Sequence, residues 1–231
     1  MTNATASDSN PFRAIIFDLD GTLLNTLNDI AGAMNQVLLD NGFPSHPIDT
    51  YKYYIGDGLE KLIERALPNE NMIPGSLSEY LRAFRTVYAK NWQASTQPYP
   101  GIPTLLTRLS QQDVRLAILS NKAHEFTLQM VDVLLGQWKF IKILGAGSDF
   151  PKKPNPAAAI HILKMMKIRG EECLLVGDSG VDMQTALAAG IIPVGVTWGF
   201  RPESELRLNG SRFIAKHPLD ILRFFRSDCK E

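Results

Sequence analysis

Asp18 and Asp20 stand one residue apart in Arg13-Ala-Ile-Ile-Phe-Asp-Leu-Asp-Gly-Thr22, where the short apolar run Ala14 to Phe17 ends. An ionised carboxylate is costly to bury without a partner, so packing alone gives no reason for this pair. A cation, a phosphate group or both does. Asp18 directly follows the run and is placed at the carboxyl end of a strand, the edge where open parallel sheets bind ligands. From there a carboxylate can attack phosphorus and form an acyl phosphate, which divides one difficult displacement into two easier ones. Asp20, just beyond the strand, is placed to protonate the leaving oxygen and later to take a proton from water. Gly21 turns the chain, and Thr22 hydrogen-bonds that turn or steadies Asp20.

Two more apolar runs end in polar residues: Val114 to Leu119 at Ser120-Asn121-Lys122, and Leu174 to Val176 at Gly177-Asp178. In a parallel sheet all three clusters share one edge. Lys153 lies in Lys152-Lys-Pro-Asn-Pro156, where Asn155 and Pro156 read as N-cap and first helical position. That sets Lys153 beside a helix N-terminus, whose N–H groups favour an anion. Asp18, Asp178 and the backbone carbonyl of Asp20 can offer oxygens to Mg²⁺, which takes one or two carboxylates and keeps several waters. Asp182, one turn further on, binds directly, acts through water or orients another ligand. Singly, each residue has an ordinary structural explanation, as a strand-end hydroxyl, a solvated lysine or a first-turn acid. Their ordered appearance at strand and helix ends points to chemistry.

The elements that position these groups follow from periodicity. Helical spacing of Leu27, Ile30, Ala31, Met34, Val37 and Leu38 predicts a helix closed by Asn41-Gly42. A link from Phe43 to Tyr54 leads to Ile55-Gly-Asp-Gly58, where Gly56 and Gly58 let a loop approach the substrate closely. A second helix follows from Leu59 to Leu67, and Gly75-Ser-Leu-Ser78 caps a third carrying Leu81, Phe84, Val87 and Tyr88. Beyond Tyr99-Pro-Gly101 the pattern alternates: helix 102–110, strand 114–119, helix 123–135, strand 140–144, helix 155–167, strand 174–176, helix 181–189, strand 192–196 and a helix to Phe225. This predicts a doubly wound, Rossmann-like parallel α/β sheet with an inserted helical cap. The expected core is 1–23 with 93–231, and the expected cap is 24–92.

Lys+Arg and Asp+Glu are both 24 in 231 residues, so the net charge is zero. That argues against nucleic acid or an anionic membrane as partner, since both need a basic field. The two cysteines, Cys173 and Cys229, make no disulfide framework. Met1 to Asn10 lacks a basic start and an apolar stretch, and no apolar run reaches membrane-spanning length. A cytoplasmic monomer or homodimer is expected.

Asp18-Leu-Asp-Gly-Thr22, Ser120-Asn-Lys122, Lys153-Pro-Asn-Pro156 and Gly177-Asp-Ser-Gly-Val-Asp182 together resemble the four ordered motifs of the haloacid dehalogenase superfamily. The insertion after the first motif is similar to that family's C1-type cap. Ile55-Gly-Asp-Gly58, Leu62-Ile-Glu-Arg-Ala-Leu67, Tyr99-Pro-Gly101 and Val196-Thr-Trp-Gly-Phe200 resemble its phosphoglycolate phosphatase branch. At Gly180-Val181 the chain departs from the Arg or Lys-Asn stretch usual in the fourth motif. The resemblance implies Asp18 as nucleophile and Asp20 as general acid/base. It also implies Ser120, Asn121, Lys153 and Thr22 around the phosphate, and Mg²⁺ held by Asp18, Asp20 and Asp178 with Asp182. Lys152 competes for the role given to Lys153.

A small phosphorylated metabolite is then the expected substrate. The cap decides between 2-phosphoglycolate, a mutase substrate, pyrophosphate and another monoester. Lys52, Lys61 and Arg65 are candidates for a substrate carboxylate, although a solvated helix face accounts for each more readily. Trp198, Phe200 and Arg201 pack on the cap or form core and rim. A phospho-accepting receiver and a ligand-binding pseudoenzyme are the readings from another class. Asp20 and a cap argue against the first, and the full set of catalytic residue types against the second.

Overall fold

Alternation within the apolar strands decides the architecture. A computed structural model of the chain describes residues 12–68 and 76–225; the arm Met1 to Asn10, Gly75 and Cys229 lie outside them. β1 (Ala14–Phe17) is buried along its whole length, as a strand covered on both faces must be. Ile15 and Phe17 join one hydrophobic cluster and Ala14 and Ile16 another, following the two-residue period of a strand. The split continues in β4 (Arg115–Ala123) and β6 (Cys173–Gly177). Leu116, Ile118, Leu174 and Val176 face the Phe17 side, and Ala117, Leu119, Cys173 and Leu175 the other. α5 (Ile102–Gln111) and α6 (His124–Leu135) cover the first face. α7 (Ala157–Met166) and α8 (Gly180–Ala188) cover the second.

With β5 (Phe140–Ala146), β7 (Ile192–Val196) and β8 (Phe213–Ala215), the sheet has six strands in the order β5-β4-β1-β6-β7-β8. All its pairings are parallel. β1 lies between β4 and β6, with Ala14 opposite both Arg115 and Cys173. The three chemistry-bearing strand ends are therefore neighbours on one edge.

Between β1 and β4 the chain builds the helical cap: α1 (Leu27–Asp40), α2 (Tyr51–Tyr54), α3 (Leu59–Ala66) and α4 (Ser76–Asn91). Its entry and exit are tied by the antiparallel pair β2 (Leu24–Asn25) and β3 (Gln97–Pro98). Buried Asp29, in the first turn of α1, accepts hydrogen bonds from the backbone N–H and hydroxyl of both Ser95 and Thr96. Those bonds satisfy a carboxylate that burial alone would disfavour.

The structure differs from the sequence-based expectations at several element ends. β4 runs to Ala123, so Ser120 and Asn121 lie inside the strand. α7 starts at Ala157 with Pro156 as N-cap, and Asn155 Oδ1 accepts the Ala157 N–H at 3.0 Å. The final helix, Pro218–Phe225, is 3-10 in type. β2, β3, β8 and α9 (Glu203–Leu208) were not expected. Two or three residues are too few to show a strand period. Among the described residues no helix is long and apolar enough to cross a membrane.

Candidate active site

Asp18 emerges from β1 with its backbone N–H on Val176 O, held in register with the end of β6. Lys153 Nζ lies 2.8 Å from Asp18 Oδ1 and 2.6 Å from Asp182 Oδ1, and all three side chains are buried. Asp182 sits in the first turn of α8. Its Oδ2 accepts both the backbone N–H (3.1 Å) and the hydroxyl (2.6 Å) of Ser179. Asp178, just past β6, accepts the Thr22 hydroxyl at Oδ1 (3.2 Å) and the Phe200 N–H at Oδ2 (2.7 Å). Gly21 lets the first turn close on Asp178: its φ is +82°, and an added Cβ would lie 2.3 Å from Asp178 Oδ2.

Burial pushes the Asp18 carboxyl well up from the ordinary range, to about 7, against the pull of Lys153 and with a further push from Asp182. Burial, then repulsion by Asp18 and Asp182, pushes Asp178 up to about 8. Burial pulls Lys153 down, but Asp18 and Asp182 more than offset it and hold the ammonium charged. One lysine thus meets two acids, while each raised acid meets two others. The cluster has an excess of negative charge.

That excess fits a hard divalent cation. Oxygens of Asp18, Asp178 and Asp182 lie within 4.8 Å of one another, and buried carboxylates are the donors such a cation takes. Asp182 is committed to the charged Lys153 and to two donors of Ser179, whereas Asp178 meets the single neutral donors of Thr22 and Phe200, so Asp178 is, with Asp18, the better placed to act as a ligand. A measurable consequence follows for pH. A carboxyl whose folded pKa is raised contributes stability below its unfolded value, and that contribution is lost as pH rises through the folded value. Without metal, Asp18 and Asp178 therefore weaken the fold between about pH 4 and pH 8. A cation that binds the ionised pair reverses this. Thermal melts should show Mg²⁺ raising Tm more at about pH 8.5 than at about pH 5. An equal shift at both pH values would mean that the metal does not bind these two groups.

Asp20 lies across the edge. Lys122 Nζ contacts its two carboxylate oxygens at 3.2 and 3.3 Å and the Tyr88 hydroxyl of α4 at 2.8 Å. The sequence reading gave Lys122 no role. The signal was present, because residues 120 and 122 of an extended strand share a side. Ser120 is buried and its Oγ accepts the Lys122 N–H at 3.2 Å, which leaves its own O–H to donate.

Two expected phosphate donors are committed elsewhere. Asn121 Nδ2 donates to Gly56 O and Lys153 O, both at 3.0 Å, and its Oδ1 accepts the Lys153 N–H. An amide has only two N–H groups, so this side chain has none left for a phosphate. Thr22, expected on its own turn, on Asp20 or at the phosphate, is fully buried with its hydroxyl on Asp178. Of the two adjacent lysines, Lys152 reaches out to Glu60 of α3 (3.0 Å), and Lys153 is the buried one at Asp18.

The cap closes over this edge. Asn121 to Gly56 O, Lys122 to Tyr88, Lys152 to Glu60, Arg201 to Ile55 O and Arg85 to Glu125 link the cap to the sheet domain. The cavity between them is lined by Asp18, Asp20 and Ser120 below and by Gly56, Gly58 and Leu62 from the cap. Gly56 and Gly58 have φ of +123° and +95°, conformations that a side chain resists. Lys52, Lys61 and Arg65 are absent from the lining and are paired with Asp49, Glu64 and Asp57. Trp198 donates to Thr22 O at 3.0 Å, and buried Phe200 lines the cavity.

A phosphoglycolate phosphatase of Aquifex aeolicus is 32% identical to this chain over 221 residues, covering 95% of this chain and 99% of the relative. One from Nitrosospira multiformis is 36% identical over 200 residues, covering 82% and 85%. The crystal structure of a haloacid dehalogenase-like family hydrolase from Streptococcus pneumoniae superposes with a TM-score of 0.82 at 28% identity, covering 94% of this chain and 99% of that one. Residues 15–196 match the family model of haloacid dehalogenase-like hydrolases, a span that holds every acid and lysine of the site. The chain belongs to the haloacid dehalogenase-like hydrolase family.

Proposed function

We propose that this protein is a Mg²⁺-dependent phosphatase of small phosphate monoesters, with 2-phosphoglycolate as its substrate. The observation that carries the reading is a buried carboxylate, Asp18, which lies on the floor of a capped cavity whose wall carries Asp20 and is backed by the buried Lys153 at 2.8 Å. The relatives named above supply the substrate.

Asp18 attacks phosphorus in line and forms an aspartyl phosphate, while Asp20 protonates the leaving oxygen. Asp20 then takes a proton from the water that hydrolyses the intermediate. Lys153 donates one of its three N–H groups to Asp182 and is ion-paired with Asp18, which leaves an N–H available to an equatorial phosphoryl oxygen. The Ser120 hydroxyl donates to another. Asp182 holds Lys153 in place, and Thr22 and the Phe200 N–H hold Asp178. Mg²⁺, bound by Asp18 and Asp178 with the Asp20 carbonyl, would offset charge on the transferring group. α1 to α4, within the 24–92 segment, exclude water and select the leaving group.

The test is phosphate release by purified protein, with Mg²⁺ or EDTA, from 2-phosphoglycolate, pyrophosphate and hexose phosphates. Metal-dependent release with preference for 2-phosphoglycolate is expected. Release from none of them would overturn the reading, and preference for another compound would overturn its substrate.

A further inference from the structure

The cavity above Asp18 is walled mainly by Ile30, Ile55, Leu59, Leu62, Phe84 and Phe126. Among the described residues, the cations that line it are Lys122 and Arg201. Lys122 is engaged by both Asp20 oxygens and the Tyr88 hydroxyl. Arg201 differs. Its side chain is only 10% exposed, with Nε 3.4 Å from Glu205 and Nη2 donating to Ile55 O at 3.0 Å and Tyr53 O at 3.4 Å. Nη1 is buried and has no partner. A guanidinium N–H removed from water without an acceptor is unfavourable, and a substrate anion is the partner that restores the balance.

We propose that Arg201, through Nη1, receives the carboxylate of the leaving alcohol, so that the site selects short phosphorylated carboxylic acids. This rests on the phosphatase reading and deepens it by naming the selecting residue. The residue comes from the loop after β7, in the sheet domain, and not from the cap, whose Lys52, Lys61 and Arg65 lie outside the cavity. Gly56 brings the two ends of the substrate site together. Its carbonyl accepts from Asn121 beside Lys153, and a Cβ added to it would lie 3.8 Å from Arg201 Nη2. Arginine suits the task because its planar, always charged fork stays in place while one nitrogen holds the cap and the other the ligand.

The experiment compares 2-phosphoglycolate with ethyl phosphate, which replaces the carboxylate by a methyl group, on wild-type protein and Arg201→Met. Wild type should prefer 2-phosphoglycolate, and the variant should lower the ratio of the two kcat/KM values by about 100-fold, the loss of a charge-assisted contact. Arg201→Lys should recover part of that ratio. If Arg201 only latches the cap, both substrates slow together, the ratio is unchanged and the proposal is overturned. Wild type showing no preference for 2-phosphoglycolate overturns it too, while leaving the phosphatase reading intact. If neither compound is turned over, 2-phosphoglycolate fails as the substrate, and binding decides the role of Arg201. Stabilisation of Asp18→Asn by 2-phosphoglycolate that disappears in Asp18→Asn/Arg201→Met supports the proposal. Stabilisation that persists, or none in either protein, overturns it.

Discussion

Asp18→Asn is expected to lower phosphate release by at least about 10⁴-fold, since an amide oxygen cannot form the acyl phosphate on which the two-step route depends. The fold should survive the change. Burial outweighs Lys153 in setting the Asp18 carboxyl, so its ionised form is a net cost to the metal-free protein, and a neutral side chain of the same shape removes that cost. Tm of the metal-free variant should therefore equal or exceed that of wild type at about pH 8, and its gain on adding Mg²⁺ should shrink. Activity and stability thus move in opposite directions, which separates loss of the nucleophile from misfolding. Release within tenfold of wild type would show that water, and not Asp18, attacks phosphorus.

Lys153→Met is expected to damage both activity and stability. It leaves Asp182, which is fully buried, and Asp18 without their cation. Breaking a buried ion pair from one side costs about 3–5 kcal/mol, because the surviving charge keeps its desolvation penalty. For a chain of this size that corresponds to a fall of about 10 °C in Tm. Turnover should fall by at least about 10³-fold as the phosphoryl oxygens lose a fixed positive charge. The partner variant distinguishes the two effects. Lys153→Met/Asp182→Asn should regain much of the lost Tm, since no orphan charge remains on Asp182, while turnover stays low. A Tm drop in the double variant equal to the sum of the single ones would show that Lys153 and Asp182 do not act as a pair.

The apolar runs ending at Phe17, Leu119 and Val176 carried the fold within the sequence. A strand covered on both faces is continuously apolar, and strands separated by helical periods form a parallel sheet. Once the sheet is parallel, the ends of those strands share an edge, so Asp18, Asp20, Ser120 and Asp178 could be grouped before any coordinates. Lys153 was legible for a related reason, since proline and asparagine mark a helix start beside it.

What the sequence did not determine was which partner each of these groups takes. Periodicity assigns a side chain to a face, but a hydrogen bond requires two atoms within about 3 Å, and that depends on how distant elements pack. Thr22 lies 156 positions from Asp178, its acceptor, and Lys122 lies 102 from Asp20. Arg201 lies 146 from Ile55. For the same reason Asn121 looked like a phosphate donor until β4 ran past it and brought Gly56 and Lys153 to its amide. By itself the sequence determined the doubly wound sheet and the set of groups on its edge, because both follow from local period. The tertiary structure alone decided which acid holds Lys153, which cation faces Asp20 and which guanidinium keeps a free N–H, because those contacts arise only when the cap and the crossover helices pack over that edge.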